Sequence, residues 1–191
     1  MTAPLAAAIF AIALVVTIVG FVVLTSYNAI VALRQRIDKA WANIDVVLKQ
    51  RHDQLPNLVS AVRGLMTYEQ AVLTRVTETR AAYAPTAPIP AQAATSEDTS
   101  AAVRSLFAVV ERYPEIKAQG NVQDLQDQIE RLEAMIADRR ELYNDQVYRY
   151  NTAITQVPGV LLAPILGWRP REFFAADAAD ALRPDTDLRA T

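Results

Sequence analysis

The sequence predicts an all-α protein in which an N-terminal transmembrane helix continues into an antiparallel four-helix bundle. Three observations predict this fold class. Residues 1–33 contain no charged side chain, and every Asp, Glu, Lys and Arg of the 191-residue chain follows them. Downstream, apolar residues recur at steps of three and four, which is the period of an amphipathic helix. No segment alternates apolar and polar residues as a half-buried strand would.

The first element is the apolar stretch of residues 5–25. At about 1.5 Å rise per residue it matches a hydrocarbon core of about 30 Å. The alternatives are a buried core helix and a cleaved signal peptide, which would need a basic n-region and a small-x-small cleavage site. Arg34, Arg36 and Lys39 follow the stretch and no Lys or Arg precedes it. Positive charge therefore predicts an external N-terminus and a cytoplasmic remainder.

The first bundle helix continues directly from the membrane, because neither proline nor glycine occurs between Gly20 and Pro56. Pro56 lacks an N–H and disfavours the helical conformation at Leu55, so we expect a turn at residues 52–55 and a second helix to about Arg80. Asp53 and Asn57 would cap that helix, and His52 would bond a free carbonyl at the turn. The predicted helix-turn motif comprises His52, Asp53, Pro56 and Asn57.

Two further helices complete the predicted bundle. Residues 83–100 contain three prolines and no amphipathic period, which predicts a mobile linker. A third helix should cover about residues 95–112, and a fourth should cover about residues 121–157, where a Pro-Gly pair ends it. Such helices cannot bury an apolar face alone, and short connections make neighbouring helices antiparallel, so a four-helix bundle follows.

Four segments resemble the LemA family of bacterial membrane proteins. They are SYNAIVALRQRIDKAWANIDVVLKQRHDQLPNLV, LFAVVERYPEIKA, RRELYNDQVYRYNTAI and PGVLLAPILGWRPREFF. The resemblance implies a short external N-terminus, one membrane span and a cytoplasmic helical bundle, with no established reaction, cofactor or substrate. We therefore expect a single-pass protein of the bacterial plasma (inner) membrane. Residues 1–26 would hold the N-terminus and the span, residues 27–174 the bundle, and residues 175–191 a disordered tail.

Polar residues on the apolar faces of the first and last helices form a candidate inter-helix cluster. An antiparallel register would place Asp45 near Arg140 and Trp41 near Asn144. The cluster comprises Trp41, Asn43, Asp45, Arg139, Arg140, Tyr143, Asn144, Tyr150 and Asn151. Its two Tyr-Asn pairs are seven residues apart and so repeat on one helix face. Buried amides can fix the register of a bundle, and a peptide- or ligand-binding groove is the alternative.

The segment after the fourth helix is a candidate membrane-interface contact. In an up-down-up-down bundle this segment returns to the membrane end. Its contact residues would be Val160, Leu161, Leu162, Ile165, Leu166, Trp168, Arg169, Arg171, Phe173 and Phe174. Tryptophan favours the membrane interface and arginine favours anionic headgroups. The alternative is that the segment only closes the base of the bundle.

Composition excludes several classes of site. The chain has no cysteine and one histidine, so thiol nucleophiles are excluded and a zinc site would need mostly carboxylate ligands. Bundle metal sites use Glu-x-x-His pairs, which are missing from the sequence. The formal charge of −2 lacks the basic excess of a nucleic-acid-binding protein. We therefore expect no cofactor, no metal and no nucleic-acid partner.

The sequence is best interpreted as a membrane-anchored, non-enzymatic helical scaffold or adaptor. Its expected partners are the lipid bilayer and either an unidentified protein or a second copy of the chain. No residue is assigned a catalytic role in this interpretation. The alternative is an enzyme or enzyme subunit with a polar site around His52, Asp45 and Arg140, which predicts that these three side chains converge in one pocket.

Overall fold

The protein is described by a computed structural model that covers residues 2–63, 69–117 and 119–175. Six helices and no strand occur in these ranges. They are α1 (Thr2–Arg63), α2 (Gln70–Ala81), α3 (Ile89–Val110), α4 (Pro114–Lys117), α5 (Gly120–Thr155) and α6 (Gly159–Leu166). The predicted all-α class is confirmed. Gly64, Leu65 and Met66 of the predicted second helix, and residues 176–191 of the predicted tail, lie outside the described residues.

The chain divides into two compact units. The first unit is Met1–Lys39 with Asp145–Arg171, and the second is Ala40–Asn144 with Glu172–Thr191. Helices α1 and α5 each contribute one part to the first unit and one part to the second. Helices α2, α3 and α4 belong wholly to the second unit, and α6 belongs to the first.

The first unit contains the candidate membrane span. Helix α1 is the one described helix that is long and apolar enough to cross a membrane, and the most apolar window of α1 has a mean hydropathy of 3.0 with none of it buried. Phe10 is 72% exposed and Phe21 is 68% exposed. Large apolar side chains in such numbers are costly in water, so their exposure fits a hydrocarbon surrounding.

A small core follows the apolar stretch within the first unit. Its buried residues are Ile30, Ile37, Val147, Tyr150, Ile154, Ala163 and Trp168. The Trp168 ring stacks on Tyr27 with the ring centroids 5.8 Å apart. A Cβ at Gly159 would lie 1.9 Å from the Ala153 carbonyl oxygen, so only glycine permits α6 to begin this close to α5.

The second unit has the larger apolar core. It is built from α1, α2, α3, α4 and α5, and its fully buried side chains include Ile44, Val47, Leu55, Leu58, Val62, Val76, Leu106, Ile116, Ile129 and Tyr143. On α1 and α5 these residues follow the three-and-four step that the sequence predicts. Burial of this face gives the helices most of their stability.

The turn predicted at residues 52–55 is wrong, because α1 continues through Pro56 to Arg63. An internal proline costs about 3 kcal/mol and leaves the carbonyl four residues earlier without its N–H. That carbonyl belongs to His52, and Arg80 Nε donates a hydrogen bond to it at 3.2 Å. Leu55 and Leu58 beside the proline are fully buried. Packing and the replacement bond therefore keep the helix intact.

The linker predicted over residues 83–100 is wrong beyond residue 88, since residues 83–88 are non-helical but α3 already begins at Ile89. Pro88 occupies the N-cap and Pro90 lies in the first turn, where a missing N–H has no cost. The Gln92 side chain donates to the carbonyls of Pro85 and Ala87 at 3.0 and 2.8 Å. The buried face of this part of α3 consists mainly of small or polar residues, so a search for periodic large apolar residues does not detect the helix.

Candidate functional site

A buried ionic network is the most extensive polar feature of the second unit. Arg51 on α1 is 4% exposed. Its Nη1 donates to Glu133 Oε1 on α5 at 2.7 Å and to Ser100 Oγ on α3 at 2.9 Å. Its Nη2 donates to Ser96 Oγ at 2.9 Å. Ser100 Oγ also donates to Glu133 Oε2 at 2.6 Å, so both carboxylate oxygens accept a bond. Three helices are joined through one guanidinium.

The network satisfies the physical conditions under which a charge can be buried. A guanidinium removed from water needs a counter-ion and partners for its remaining N–H groups, and Arg51 has both. Glu133 retains 26% side-chain exposure, so its carboxylate stays partly hydrated. Such a pair contributes little net stability but disfavours alternative registers, because any slip of α1 against α5 would leave the charge without its partner.

Sequence reasoning missed this network, although a signal was present. Arg51 lies three residues after Leu48 and four before Leu55, so it falls on the apolar seam of α1. A charged residue at such a position must find a counter-ion. The partner set could not be found in the same way, because Ser96 lay where the predicted linker and the predicted start of the third helix overlap, and small polar residues carry no apolar pattern.

A cavity of about 250 Å³ lies beside the network. Ser96, Ser100, Glu133 and Arg140 are among its lining residues. Arg140 Nη1 lies 3.9 Å from Glu97 Oε2, and Glu97 also lines the cavity. The cavity is therefore lined by two arginines, Arg104 and Arg140, and by two carboxylates, Glu97 and Glu133.

The single histidine lies in an aromatic and ionic surrounding on α1. The His52 ring packs against Tyr83 with centroids 4.9 Å apart, and its Nδ1 is buried without a hydrogen-bond partner among the described residues. Burial lowers the pKa of His52 below 6.5, and the Arg80 charge lowers it further. The Tyr83 hydroxyl donates a hydrogen bond to Asp45 Oδ1 at 3.4 Å. Burial raises the pKa of Tyr83, and the Asp45 charge raises it further.

The predicted convergence of His52, Asp45 and Arg140 is wrong. His52 and Asp45 both contact Tyr83, which follows α2, whereas Arg140 faces Glu97 of α3. The expected ion pair of Asp45 with Arg140 is therefore replaced by two other contacts. The physical reason is that α2 and α3 supply partners that a register of α1 and α5 alone does not include. Among the described residues, no group of three or more His, Cys, Asp or Glu could hold a metal ion.

The Tyr143-Asn144 pair holds the backbone of the segment that ends the described chain. Asn144 Oδ1 accepts from the Phe174 N–H at 2.8 Å, and Asn144 Nδ2 donates to the Phe174 carbonyl at 3.3 Å. Tyr143 donates to the Glu172 carbonyl at 2.9 Å. Phe174 is buried, with its ring 5.9 Å from Trp41. These residues thus hold a segment without regular secondary structure instead of a neighbouring helix.

Asn151 makes the same arrangement in the first unit. Its Oδ1 accepts from the Arg171 N–H at 2.8 Å, and its Nδ2 donates to the Arg171 carbonyl at 3.0 Å. A side-chain amide carries both donor and acceptor groups, which match the N–H and the carbonyl of one backbone residue. Tyr150 beside it is buried. Each asparagine of the repeated Tyr-Asn pair is therefore an amide clamp on one backbone residue.

The other predicted members of the inter-helix cluster contact each other across α1 and α5. The Trp41 ring meets Tyr143 edge-on at 5.7 Å, one residue from the expected position. Arg139 Nη1 donates to the Asn43 carbonyl at 2.7 Å, so the backbone and not the side chain of Asn43 takes part. The cluster is thus divided between helix contacts and the amide clamps.

The candidate membrane-interface residues divide by exposure. The exposed apolar ones are Val160, Leu161, Ile165 and Leu166, while Leu162 and Phe173 are half-buried. Arg169 is exposed and Arg171 is half-buried. Trp168 and Phe174 are buried against protein rings, so the expectation that these two rings face lipid is wrong. Packing against Tyr27 and Trp41 gives them an apolar surrounding already.

Comparison with known proteins gives one family and a few partial relatives. The family model described as the LemA family matches residues 40–187. The magnetosome proteins MamQ 1 and MamQ 2 of Paramagnetospirillum magneticum are each 38% identical over 73 residues. The magnetosome protein MamQ of Magnetospirillum gryphiswaldense is 34% identical over 73 residues. Each match covers 38% of this chain and 27% of the relative, so the chain spans about a quarter of their length.

Proposed function

The chain belongs to the LemA family, and from that membership and the contacts above we propose that it is a membrane-anchored helical scaffold without enzymatic activity. In this proposal the bundle presents a surface to a protein partner or to the membrane. The proposal rests on this chain's own residues and not on the magnetosome relatives, because the match to those relatives covers only 73 residues.

The observation that carries the proposal is the double character of α1. One uninterrupted helix contains a fully exposed apolar stretch and, further along, a buried seam with a satisfied ionic network. Exposed apolar residues of this number need lipid, whereas the seam needs partner helices. A helix with both properties tethers a folded bundle to a bilayer.

An antiparallel four-helix bundle of α1, α2, α3 and α5 is part of the proposal. It is supported by contacts whose residue numbers rise on one helix as they fall on the next. Between α1 and α5 the contacts are Trp41 with Tyr143 and Arg51 with Glu133. Contacts in the same antiparallel order join Glu69 to Arg112 and Arg75 to Asp98 between α2 and α3, and Glu97 to Arg140 and Ser100 to Glu133 between α3 and α5. Between α1 and the end of α2, Asp45 contacts Tyr83 and His52 contacts Arg80.

The proposed location is the bacterial plasma membrane, with an external N-terminus and a cytoplasmic bundle. Arg34, Arg36 and Lys39 follow the apolar stretch, and residues 1–33 carry no positive side chain. Positive flanks remain on the cytoplasmic side of a span. The part of the chain after the apolar stretch, which includes the amide clamps Asn144 and Asn151, would then lie inside the cell.

Photo-crosslinking in cells tests the scaffold function. Val46 and Leu142 are apolar residues of the second unit that are 52% and 61% exposed. A photo-reactive amino acid placed at either position should give a reproducible crosslink to one protein, identified by mass spectrometry. The matched control carries the same group at Lys49, an exposed polar site on α1. Crosslinks identical at all three positions, or none at Val46 and Leu142, would contradict a partner surface there.

A further inference from the structure

A basic cavity in the first unit lies on the C-terminal side of the apolar stretch, with Arg34 nine residues after Thr25. It has a volume of about 350 Å³ and is lined by Arg34, Tyr150 and residues 167–171. Three of its lining residues are arginines: Arg34, Arg169 and Arg171. The volume is within the range of small-ligand sites, which is about 300–1,000 Å³.

The charge of the cavity is strongly positive. Asp38 Oδ1 lies 3.6 Å from Arg171 Nη2 and offsets part of one positive charge. Among the described residues, Arg34 and Arg169 form no ion pair and no side-chain hydrogen bond. Guanidinium groups present planar pairs of N–H donors that match phosphate oxygens, so such a cavity favours a phosphate oxyanion.

The walls of the cavity are fixed in place before any ligand arrives. Gly167 has φ of +65°, the left-handed conformation that ends α6, and the Trp168 N–H bonds the Ala163 carbonyl at 2.9 Å. Asn151 clamps the backbone of Arg171. The segment is therefore held at both ends, which lowers the entropy that binding must overcome.

The position of the cavity indicates which phosphate compound it binds. Tyr27, on which Trp168 stacks, follows the apolar stretch by two residues, a rise of about 3 Å. Arg34 is the first charged residue after that stretch, and its Cα–Cβ bond leans back toward the helix N-terminus. Helix α6 adds exposed apolar side chains at Val160, Leu161 and Ile165. A basic cavity with apolar neighbours fits an amphipathic anion.

We propose that this cavity binds the phosphate of an anionic phospholipid headgroup, with the exposed face of α6 against the acyl chains. This inference rests on the membrane anchoring proposed above. It assigns a specific lipid site to a segment that would otherwise make only a general interface contact.

Lipid binding to the full-length protein in detergent tests the site by native mass spectrometry. The protein is titrated with phosphatidylglycerol, with phosphatidylcholine of the same acyl chains, and with inorganic phosphate. We expect phosphatidylglycerol to bind at least tenfold more tightly than phosphatidylcholine. The double substitution Arg34→Gln with Arg169→Gln should abolish that preference by removing two phosphate donors. It should leave the fold intact, because neither side chain forms an ion pair or hydrogen bond with another described residue. Arg36→Gln with Lys39→Gln, which also removes two positive charges but outside the cavity, should alter the affinity less than twofold.

Three results would overturn the site. Equal affinity for the two lipids would exclude headgroup selection, and an equal loss in the variant Arg36→Gln with Lys39→Gln would show only a general effect of surface charge. Displacement of phosphatidylglycerol by inorganic phosphate at the same concentration would assign the cavity to a soluble anion. Circular dichroism of each variant verifies folding. Membrane retention of the wild type, measured separately by fractionation, reports on the anchor itself, so failure of one proposal is distinguishable from failure of the other.

Discussion

Arg80 Nε donates a hydrogen bond to the carbonyl oxygen of His52 at 3.2 Å. This is the carbonyl that Pro56, four residues later in the same helix, cannot reach with an N–H. A side chain of α2 thus replaces the hydrogen bond that a proline removes from α1. The relationship explains how α1 contains Pro56 and remains a single helix from Thr2 to Arg63.

Removal of the Arg80 guanidinium should destabilise the protein in a way that depends on Pro56. Arg80→Met leaves the His52 carbonyl without its donor, at an expected cost of about 1–3 kcal/mol in the free energy of unfolding. In a Pro56→Ala background the new N–H can bond that carbonyl, so Arg80→Met should cost less there. Chemical unfolding of the four proteins in detergent, followed by circular dichroism, measures the coupling. An equal cost in both backgrounds would refute the compensation.

The buried ion pair should be costly to break and less costly to remove. Glu133→Ala leaves the Arg51 guanidinium, 4% exposed, without its counter-ion, and we expect a loss of about 3 kcal/mol. This value is at the low end of the usual range because Glu133 is 26% exposed. The double variant Arg51→Met with Glu133→Leu should lose less than the sum of the two single variants.

Arg104 provides the matched control for that experiment. It lies 3.4 Å from Glu97, with both side chains more than half exposed. Arg104→Ala should change the free energy of unfolding by less than about 1 kcal/mol, as exposed ion pairs do. A loss for Arg104→Ala equal to that of Glu133→Ala would show that burial is not the cause of the difference.

Each amide clamp should protect one backbone N–H from hydrogen exchange. Asn144 accepts from the Phe174 N–H and Asn151 from the Arg171 N–H, both at 2.8 Å. Loss of about 1 kcal/mol of hydrogen bonding corresponds to exchange roughly five- to tenfold faster. Asn144→Ala should accelerate the Phe174 amide most, and Asn151→Ala the Arg171 amide. Residue-resolved exchange measures both, and unchanged rates at the two amides would contradict the clamps.

Acidification should destabilise the protein through His52. Burial and the Arg80 charge lower the pKa of His52 in the folded protein, while the unfolded chain keeps a value near 6.5. As the pH falls through 6.5, His52 is protonated in the unfolded state but not yet in the folded state. The free energy of unfolding therefore declines until the pH falls below the pKa of His52 in the folded protein. His52→Gln should flatten that part of the profile. Unfolding measured at a series of pH values tests the sign, and a variant profile identical to the wild type would contradict it.

The long apolar periods of α1 and α5 were predictable because burial of one helix face imposes a three-and-four step. The passage through Pro56 was not, since the compensating donor is Arg80, which lies 24 positions further along the chain. The start of α3 was hidden for a related reason. Its buried face includes Ser96 and Ser100, which are small and so pack closely, and which also accept hydrogen bonds from Arg51.

The two Tyr-Asn pairs illustrate what a sequence pattern leaves open at a site. Their seven-residue spacing correctly indicates a shared helix face, and their predicted place on the apolar face of the last helix agrees with the burial of Tyr143 and Tyr150. The partner was not predictable, because a side-chain amide can bond side chains of a neighbouring helix or the backbone of a non-helical segment equally well. Only the position of Arg171 and Phe174 distinguishes the two.

Cysteine accessibility tests the central claim, membrane tethering with the bundle inside the cell, most directly. The chain contains no cysteine, so a single introduced thiol is labelled without background. Pro4→Cys and Lys49→Cys place thiols at exposed positions on either side of the apolar stretch. A membrane-impermeant maleimide should label Pro4→Cys in intact cells and Lys49→Cys only after lysis, with both proteins in the membrane fraction. Labelling of Lys49→Cys in intact cells, or release of the protein without detergent, would contradict the account.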